Sequence, residues 1–307
     1  MNILKISHLT KKYGRITAVN DLSISVEQGQ IFGLLGPNGS GKTTTLGIVL
    51  GITHTDSGTF EWFEGTHGEN PRRQIGALLE TPNFYPYMNA VQNLEITAHI
   101  KQVKQPNIDE VLEIVKLSNR KTSLFRTYSL GMKQRLAIAA TMIGDPEVLI
   151  FDEPTNGLDP IGIAEVRDTL LQIAQRGKTI IMASHILDEV EKICSHVAII
   201  QSGRLLADGT VGAILSGRDN KTDEKLHLIE IAAKDMTALQ DFLKNLDFVR
   251  RVEAGNQHFL IQCLESYSTA EINHLAFNHG ITLTHLLTRK RRLEEEFLEI
   301  TKGKTVD

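Results

Sequence analysis

Nine consecutive residues limit what this chain can become more than any other stretch. Gly36-Pro37-Asn38-Gly39-Ser40-Gly41-Lys42-Thr43-Thr44 fits the pattern G-x-x-x-x-G-K-[ST] in full, with the apolar run Ile31-Phe32-Gly33-Leu34-Leu35 leading in and Thr45-Leu46-Gly47-Ile48-Val49-Leu50 leading out. That order is strand, loop, helix. The glycines let the backbone curl until successive N–H groups converge on phosphate oxygens, at the positive end of the helix that follows. Within the pattern, Lys42 reaches the β and γ phosphates of a nucleotide and the Thr43 hydroxyl is placed to ligate Mg2+. A nucleotide site on an α/β framework is the first expectation, and what the nucleotide is for has to come from the other motifs.

The 307 residues are about twice a usual domain, so one large domain and a smaller one is expected. A net charge of -4 carries no basic excess, which argues against wholesale nucleic-acid binding, and no nucleic-acid partner is expected. Cys194 and Cys263 stand far apart without metal spacing and read as reduced thiols. The opening Met1-Asn2-Ile3-Leu4-Lys5-Ile6 turns polar too soon for a signal peptide, and no apolar run approaches the roughly 18 to 20 residues of a membrane span. The expectation is a soluble chain, or one attached to a membrane through a partner.

Residues 3 to 9 and 18 to 26 read as strands joined by a Lys11-Lys12-Tyr13-Gly14-Arg15 turn, which makes Tyr13 a loop-borne aromatic. It is either a packing residue or a stacking surface for a purine ring, and the residues alone leave both open. Thr59 to Phe63 resumes a strand, and Ile75-Gly76-Ala77-Leu78-Leu79 has the pattern of a buried strand that stops at Glu80. Glu80 faces whatever lies at that edge, solvent in the ordinary case. Residues 84 to 104 and Ile108 to Leu117 read as helical, the size of a helical insertion.

Ser129 stands where an N-cap belongs, ahead of a long helical run, and such a capped end is either plain structure or an anion site. Val148-Leu149-Ile150-Phe151 is a continuous apolar strand ending in Asp152-Glu153, and acids at the carboxyl end of a core strand stand beside a nucleotide bound at that edge. The first is placed to hold Mg2+ through water and the second to accept a proton from an attacking water. Thr155 to Pro160 turns the chain into a helix over 161 to 175, and Thr179 to Ala183 is a further core strand closing on Ser184-His185. A histidine there is ordinarily structural, and on the edge shared with Asp152 it becomes a γ-phosphate contact.

In this order the motifs resemble the ATP-binding subunits of ABC transporters over residues 1 to 215. The Leu-Ser-Gly-Gly-Gln type of signature is present as Ser129-Leu130-Gly131-Met132-Lys133-Gln134-Arg135, the D-loop as Gly157-Leu158-Asp159 and the switch as Ser184-His185. The resemblance implies a P-loop NTPase ABC ATPase domain over 1–216, with a RecA-like core, an antiparallel β subdomain and a helical subdomain. It implies ATP and Mg2+, with Gly36, Asn38, Gly39, Ser40, Gly41, Lys42, Thr43 and Thr44 cradling phosphate and Tyr13 stacking on adenine. Asp152 takes the Mg2+ position, Glu153 the general base and His185 the linchpin. Ser129 and Gly131 contact the γ-phosphate held by a second ATPase subunit, identical or not, with Asp159 in the same interface. A membrane permease is the further partner, and the cytoplasmic face of the membrane the location.

Two features depart from the family's usual form. Met132-Lys133 replaces Gly-Gly or Gly-Glu in the signature, and Glu80 replaces the glutamine that touches Mg2+ and the membrane subunit. An ionised glutamate adds charge beside the metal and loses an amide donor. Glu80 and the signature together look like the exporters for bacitracin resistance and lantibiotic immunity, so export of an antimicrobial peptide, antibiotic or lipid-like cargo is expected; the ATPase of an importer and a non-transport ATPase of this type are the alternatives.

After the polar stretch Ser216-Gly217-Arg218-Asp219-Asn220-Lys221 the motifs stop. Lys225–Ala232, Phe248–Val252, His258–Cys263 and Ile281–Thr288 read as strands, and Met236–Leu246 and Ser268–Asn278 as helices. That βαββαβ order over 217–307 is expected to form an accessory α+β domain of ferredoxin-like type, followed by a charged helix from Leu293 to Thr301.

Overall fold

The first two strands follow from alternation of apolar and polar residues, and they run further than that pattern suggests. In the computed structural model, which describes residues 1–66, 70–79, 83–215, 226–255, 257–289 and 292–302, β1 (Asn2–Tyr13) and β2 (Ile16–Glu27) pair antiparallel up to Tyr13 opposite Ile16. Gly14, with a φ of 60°, supplies the left-handed residue of the two-residue turn. Tyr13 is therefore the last residue of a strand, not part of a longer loop. β3 (Ile31–Leu35) follows, then α1 (Lys42–Val49) and β4 (Ser57–Trp62), which pairs with β1 to complete a three-stranded sheet in the order β2-β1-β4.

The second sheet carries the site. Along the chain come β5 (Ile75–Leu78), α2 (Ala90–Ile100), α3 (Ile108–Ile114), α4 (Leu130–Met142), β6 (Val148–Asp152), α5 (Pro160–Gln175), β7 (Thr179–Ser184), α6 (Leu187–Ile193), β8 (His196–Gln201) and β9 (Arg204–Thr210). The strand order is β5-β6-β7-β3-β8-β9, parallel except for the antiparallel β9. Every residue of β3, β6 and β7 is buried, which is why these strands read as unbroken apolar runs. β5 departs from the buried strand expected of it. It lies at the edge, and of its four residues Gly76 alone is buried. A Cβ on Gly76 would come within 2.2 Å of the Thr141 carbonyl oxygen, so α4 packs directly on the strand backbone.

α2, α3 and α4 form the expected helical layer. Asn89 and Gln92 make a reciprocal capping box at the start of α2. The buried Arg135 of α4 donates to the Val115 carbonyl at 3.0 Å and pairs with Glu165 of α5 at 3.2 Å, tying that layer to the helix behind the sheet.

The chain divides into two compact units, Met1–Thr210 and Val211–Asp307. The second contains α7 (Val211–Leu215), β10 (Leu226–Ala233), α8 (Met236–Lys244), β11 (Val249–Ala254), β12 (Phe259–Leu264), α9 (Thr269–Asn278), β13 (Leu283–Arg289) and α10 (Leu293–Lys302). Its sheet is antiparallel in the order β11-β12-β10-β13. One face, with Ile229, Ile231 and Ile261, packs against Leu239, Phe242 and Leu243 of α8 and Ile272 of α9. Phe248 stacks on Tyr267 at 3.9 Å between centroids. α7 and β9 have no counterpart in the sequence expectations: the first is a single turn, and the second is half-exposed and carries the polar Asp208-Gly209 within it.

Candidate functional site

The loop between β3 and α1 is held by backbone contacts that only glycine permits. Gly41, with a φ of 105°, caps α1 without any side-chain hydrogen bond, and a Cβ there would stand 2.3 Å from the Ala18 carbonyl oxygen. Gly36 is pressed as closely against Ile200, and the Gly203 N–H donates to the Ser40 carbonyl at 2.9 Å. The cradle is thus buttressed by β2 and by the β8–β9 turn, neither of which the motif reveals. Asn38 and Gly39 form its exposed rim, while the buried Ser40 hydroxyl has no hydrogen-bond partner among the described residues. Thr44 is half-buried in the first turn of α1.

Lys42 is 5 % exposed, and its ammonium donates to the carbonyls of Gly36 at 2.8 Å and Pro37 at 3.3 Å. The Thr43 hydroxyl donates to Asp152 Oδ2 at 2.6 Å. The other carboxylate oxygen, Oδ1, is buried and has no partner among the described residues. Burial holds the Asp152 carboxyl above its usual range; the Thr43 hydrogen bond opposes this, the neighbouring Glu153 charge adds to it and Lys42 opposes it. A hydroxyl and an unspent carboxylate oxygen at one helix N-terminus are hard oxygen donors of the kind Mg2+ takes, so the residues fit that ion.

Glu153 joins the two halves of the edge. Its φ of 49° turns the carboxylate back across the strand ends, and the Glu153 N–H donates to the Ala183 carbonyl at 2.9 Å. Oε1 lies 3.5 Å from Lys42 Nζ, and Oε2 is 2.8 Å from His185 Nδ1 and 3.4 Å from the His185 N–H. The sequence brings Glu153 and His185 to one edge but gives no sign of this direct pairing, which depends on the left-handed turn at Glu153.

The remaining expected residues lie apart from this cluster in their contacts. Ser129 accepts from the Met132 N–H at 3.3 Å and caps α4, and Gly131 has Gly162 of α5 as its neighbour. Asp159 accepts from the Gly162 N–H at 2.9 Å, so within the chain its carboxylate caps α5. Tyr13 is 50 % exposed, with Lys11 Nζ 5.4 Å from its ring centroid. Glu80 lies outside the described residues, as does the stretch from Ser216 to Lys221.

A phosphate cradle, a magnesium-type donor set and an acid at the next strand position are the parts of a nucleotide-hydrolysing site, and comparison with known proteins names the family. The profile of the ABC transporter family matches residues 19–156. The bacitracin transport ATP-binding protein of Bacillus licheniformis is 37% identical, over 99% of this chain and 99% of its own. The chain belongs to the ATP-binding subunits of ABC transporters. It is similar over 67% of its length, at 38% identity, to the lantibiotic transport ATP-binding protein of Streptococcus pyogenes, of which 90% is covered. Among solved structures, a subunit of an ABC transporter complex from Clostridium perfringens matches 71% of this chain and 92% of its own, with 27% identity and a TM-score of 0.63. This ABC subunit binds ATP and hydrolyses it. No helix among its described residues is long and apolar enough to cross a membrane.

Proposed function

We propose that this subunit binds ATP with Mg2+ in half-sites and closes head to tail on a second ATPase subunit, identical or related. In this reading it works at the cytoplasmic face of the membrane and drives a separate permease that exports an antibiotic, antimicrobial peptide or lipid-like compound. The carrying observation is how the chain divides the parts. Lys42, Thr43, Asp152 and Glu153 meet one another, whereas the capped end of α4 has its contacts with Met132 and Gly162. A second anion-binding helix end displayed away from the cradle is what a two-fold partner would use to complete the opposite site. The bacitracin and lantibiotic transport roles of the relatives support the cargo class, and they do not favour import.

Thr43 and Asp152 Oδ1 would hold Mg2+, which supplies charge neutralisation on the β and γ oxygens. The chain's own residues do the rest. Lys42 exchanges the Gly36 and Pro37 carbonyls for phosphate oxygens, Glu153 takes a proton from the attacking water, and His185 holds Glu153 in place until a γ-phosphate competes for it. Tyr13 offers a ring to the adenine, and Glu80 carries the motion towards the permease. The second unit is ferredoxin-like on its strand order, with the first strand of the unit between the third and the last.

Sedimentation of the Glu153→Gln protein with ATP tests the composite site. A dimer is expected that Ser129→Arg abolishes; a monomer with bound ATP, or a dimer indifferent to Ser129→Arg, overturns it.

A further inference from the structure

At the edge of the β5–β6 sheet opposite the phosphate cradle, a cavity of about 470 Å³ opens between the turn before β5 and the ends of α2 and α4. Ile75, which lines it, pairs with Val148 at the start of β6, whereas Asp152 ends that strand. Arg72, Arg73 and Lys101 contribute three cations to its wall, and no carboxylate lines it among the described residues. Neither arginine has an ion pair or side-chain hydrogen bond among those residues. The rest of the lining is Asn70, Gln102, Gly144 and an apolar wall of Ile75, Ile100, Val103 and Ile143.

Two of the cations sit at helix C-termini. Lys101 Nζ donates to the carbonyls of Ala140, Thr141 and Ile143 at 3.1, 2.9 and 3.1 Å, closing α4. The Arg72 guanidinium lies against Gly51, where a Cβ would stand 2.4 Å from its Nη2, just past the end of α1. These are the far ends of the helix that begins at Lys42 and of the helix that Ser129 caps.

We propose that this cavity binds a phosphate monoester with an apolar body, the phosphate on Arg72, Arg73 and Lys101 and the body on the isoleucine wall. Guanidinium pairs match phosphate oxygens bidentately, and the volume lies in the range of small-molecule sites. Partial burial brings the Lys101 ammonium down to about 8, so at neutral pH it is still a cation, on an exposed residue, that a bound dianion would stabilise. The occupant also stands where it competes with the carbonyl end of α4 for Lys101 and lies beside Arg72 just past the end of α1, linking this pocket to the far ends of both helices.

Calorimetric titration of the full chain, with saturating ADP filling the phosphate loop, is the test. Phenyl phosphate, inorganic phosphate and monomeric dihexanoyl phosphatidic acid are the probes. Saturable binding of phenyl phosphate, tighter than inorganic phosphate and weakened at least about tenfold in Arg72→Gln/Arg73→Gln, supports the site. A stronger signal from the phosphatidic acid assigns the source to a lipid headgroup, and a weaker one to a soluble ester. Equal affinity in wild type and variant, or no saturation, overturns the proposal. Arg73→Gln alone, which leaves the contact of Arg72 with Gly51 in place, decides the matter should the double variant fail to fold.

Discussion

Replacing Glu153 by Gln separates two effects that the geometry places on one side chain. Glu153 Oε1 lies 3.5 Å from Lys42 Nζ, with the two side chains 20 % and 5 % exposed. At an effective dielectric of about 20 the attraction across that distance is about 5 kcal/mol, a gross figure from which desolvation of both groups is subtracted. The amide of Gln keeps the shape and removes the charge, leaving Lys42 a less satisfied cation and a better phosphate ligand. Allowing for the desolvation already incurred, a net gain of roughly 1 kcal/mol in ATP binding is expected, about fivefold in Kd. Turnover moves the other way, because an amide cannot accept the proton of the attacking water, and a loss of about 10²–10⁴-fold follows. Fluorescent-nucleotide titration and phosphate release on one preparation read both. Turnover within about tenfold of wild type would falsify the base assignment, and weaker ATP binding would show that Glu153 supports Lys42 instead of restraining it.

Asp152→Asn should raise the melting temperature of the nucleotide-free protein while removing magnesium-dependent ATP binding. The raised Asp152 pKa means that the folded chain holds this proton more tightly than the unfolded one, so the group's contribution to stability grows as pH falls through the raised value towards 3.8. The neutral amide removes the cost of burying the charge at pH 7, and a lower melting temperature contradicts the assignment of burial as the cause. Gly41→Ala combines a φ of 105° with a contact at 2.3 Å to the Ala18 oxygen and should destabilise by about 2–4 kcal/mol. Gly177→Ala, with a φ of 82° and open space around it, is the control at about 1 kcal/mol, and equal losses in chemical denaturation would remove the role of Ala18. A carboxylate only accepts, so His185 Nδ1 carries the proton in the 2.8 Å contact with Glu153; nitrogen NMR of histidine-labelled protein should show Nδ1–H, and an Nε2–H tautomer contradicts this pairing.

What could be read from the sequence is what is encoded locally or by unbroken burial. The cradle from Gly36 to Thr44 declares itself because its backbone dictates its residues, and Val148–Asp152 because both faces of the strand are covered. The Ser129 cap is equally local. β5 misleads because Gly76 is there for the approach of α4 and not for a buried strand, and that approach belongs to a partner some sixty-five residues away in the chain. The sequence puts Tyr13 in a loop because Lys11 and Lys12 look like turn residues, yet both lie in β1, where Lys11 pairs with Asp56 at 3.0 Å. Ala18 and Gly203, which shape the cradle from outside, carry no motif at all.

The site's charges are engaged with one another. Lys42 donates to two loop carbonyls, Thr43 to Asp152, and His185 to Glu153. Each contact that a nucleotide makes is therefore an exchange, and the free energy of binding is a difference between two well-formed arrangements instead of a gain from bare groups. The largest exchange falls on Glu153, because its carboxylate touches Lys42 on one oxygen and His185 on the other. On the proposed mechanism, a γ-phosphate that draws Lys42 away also loosens Glu153. The start of α5 is anchored by Asp159, six residues beyond Glu153, and α6 begins two residues beyond His185. On the proposed mechanism, an adjustment of the Glu153–His185 pair is applied at the starts of α5 and α6, the geometry through which a small change at phosphate would reach whole elements.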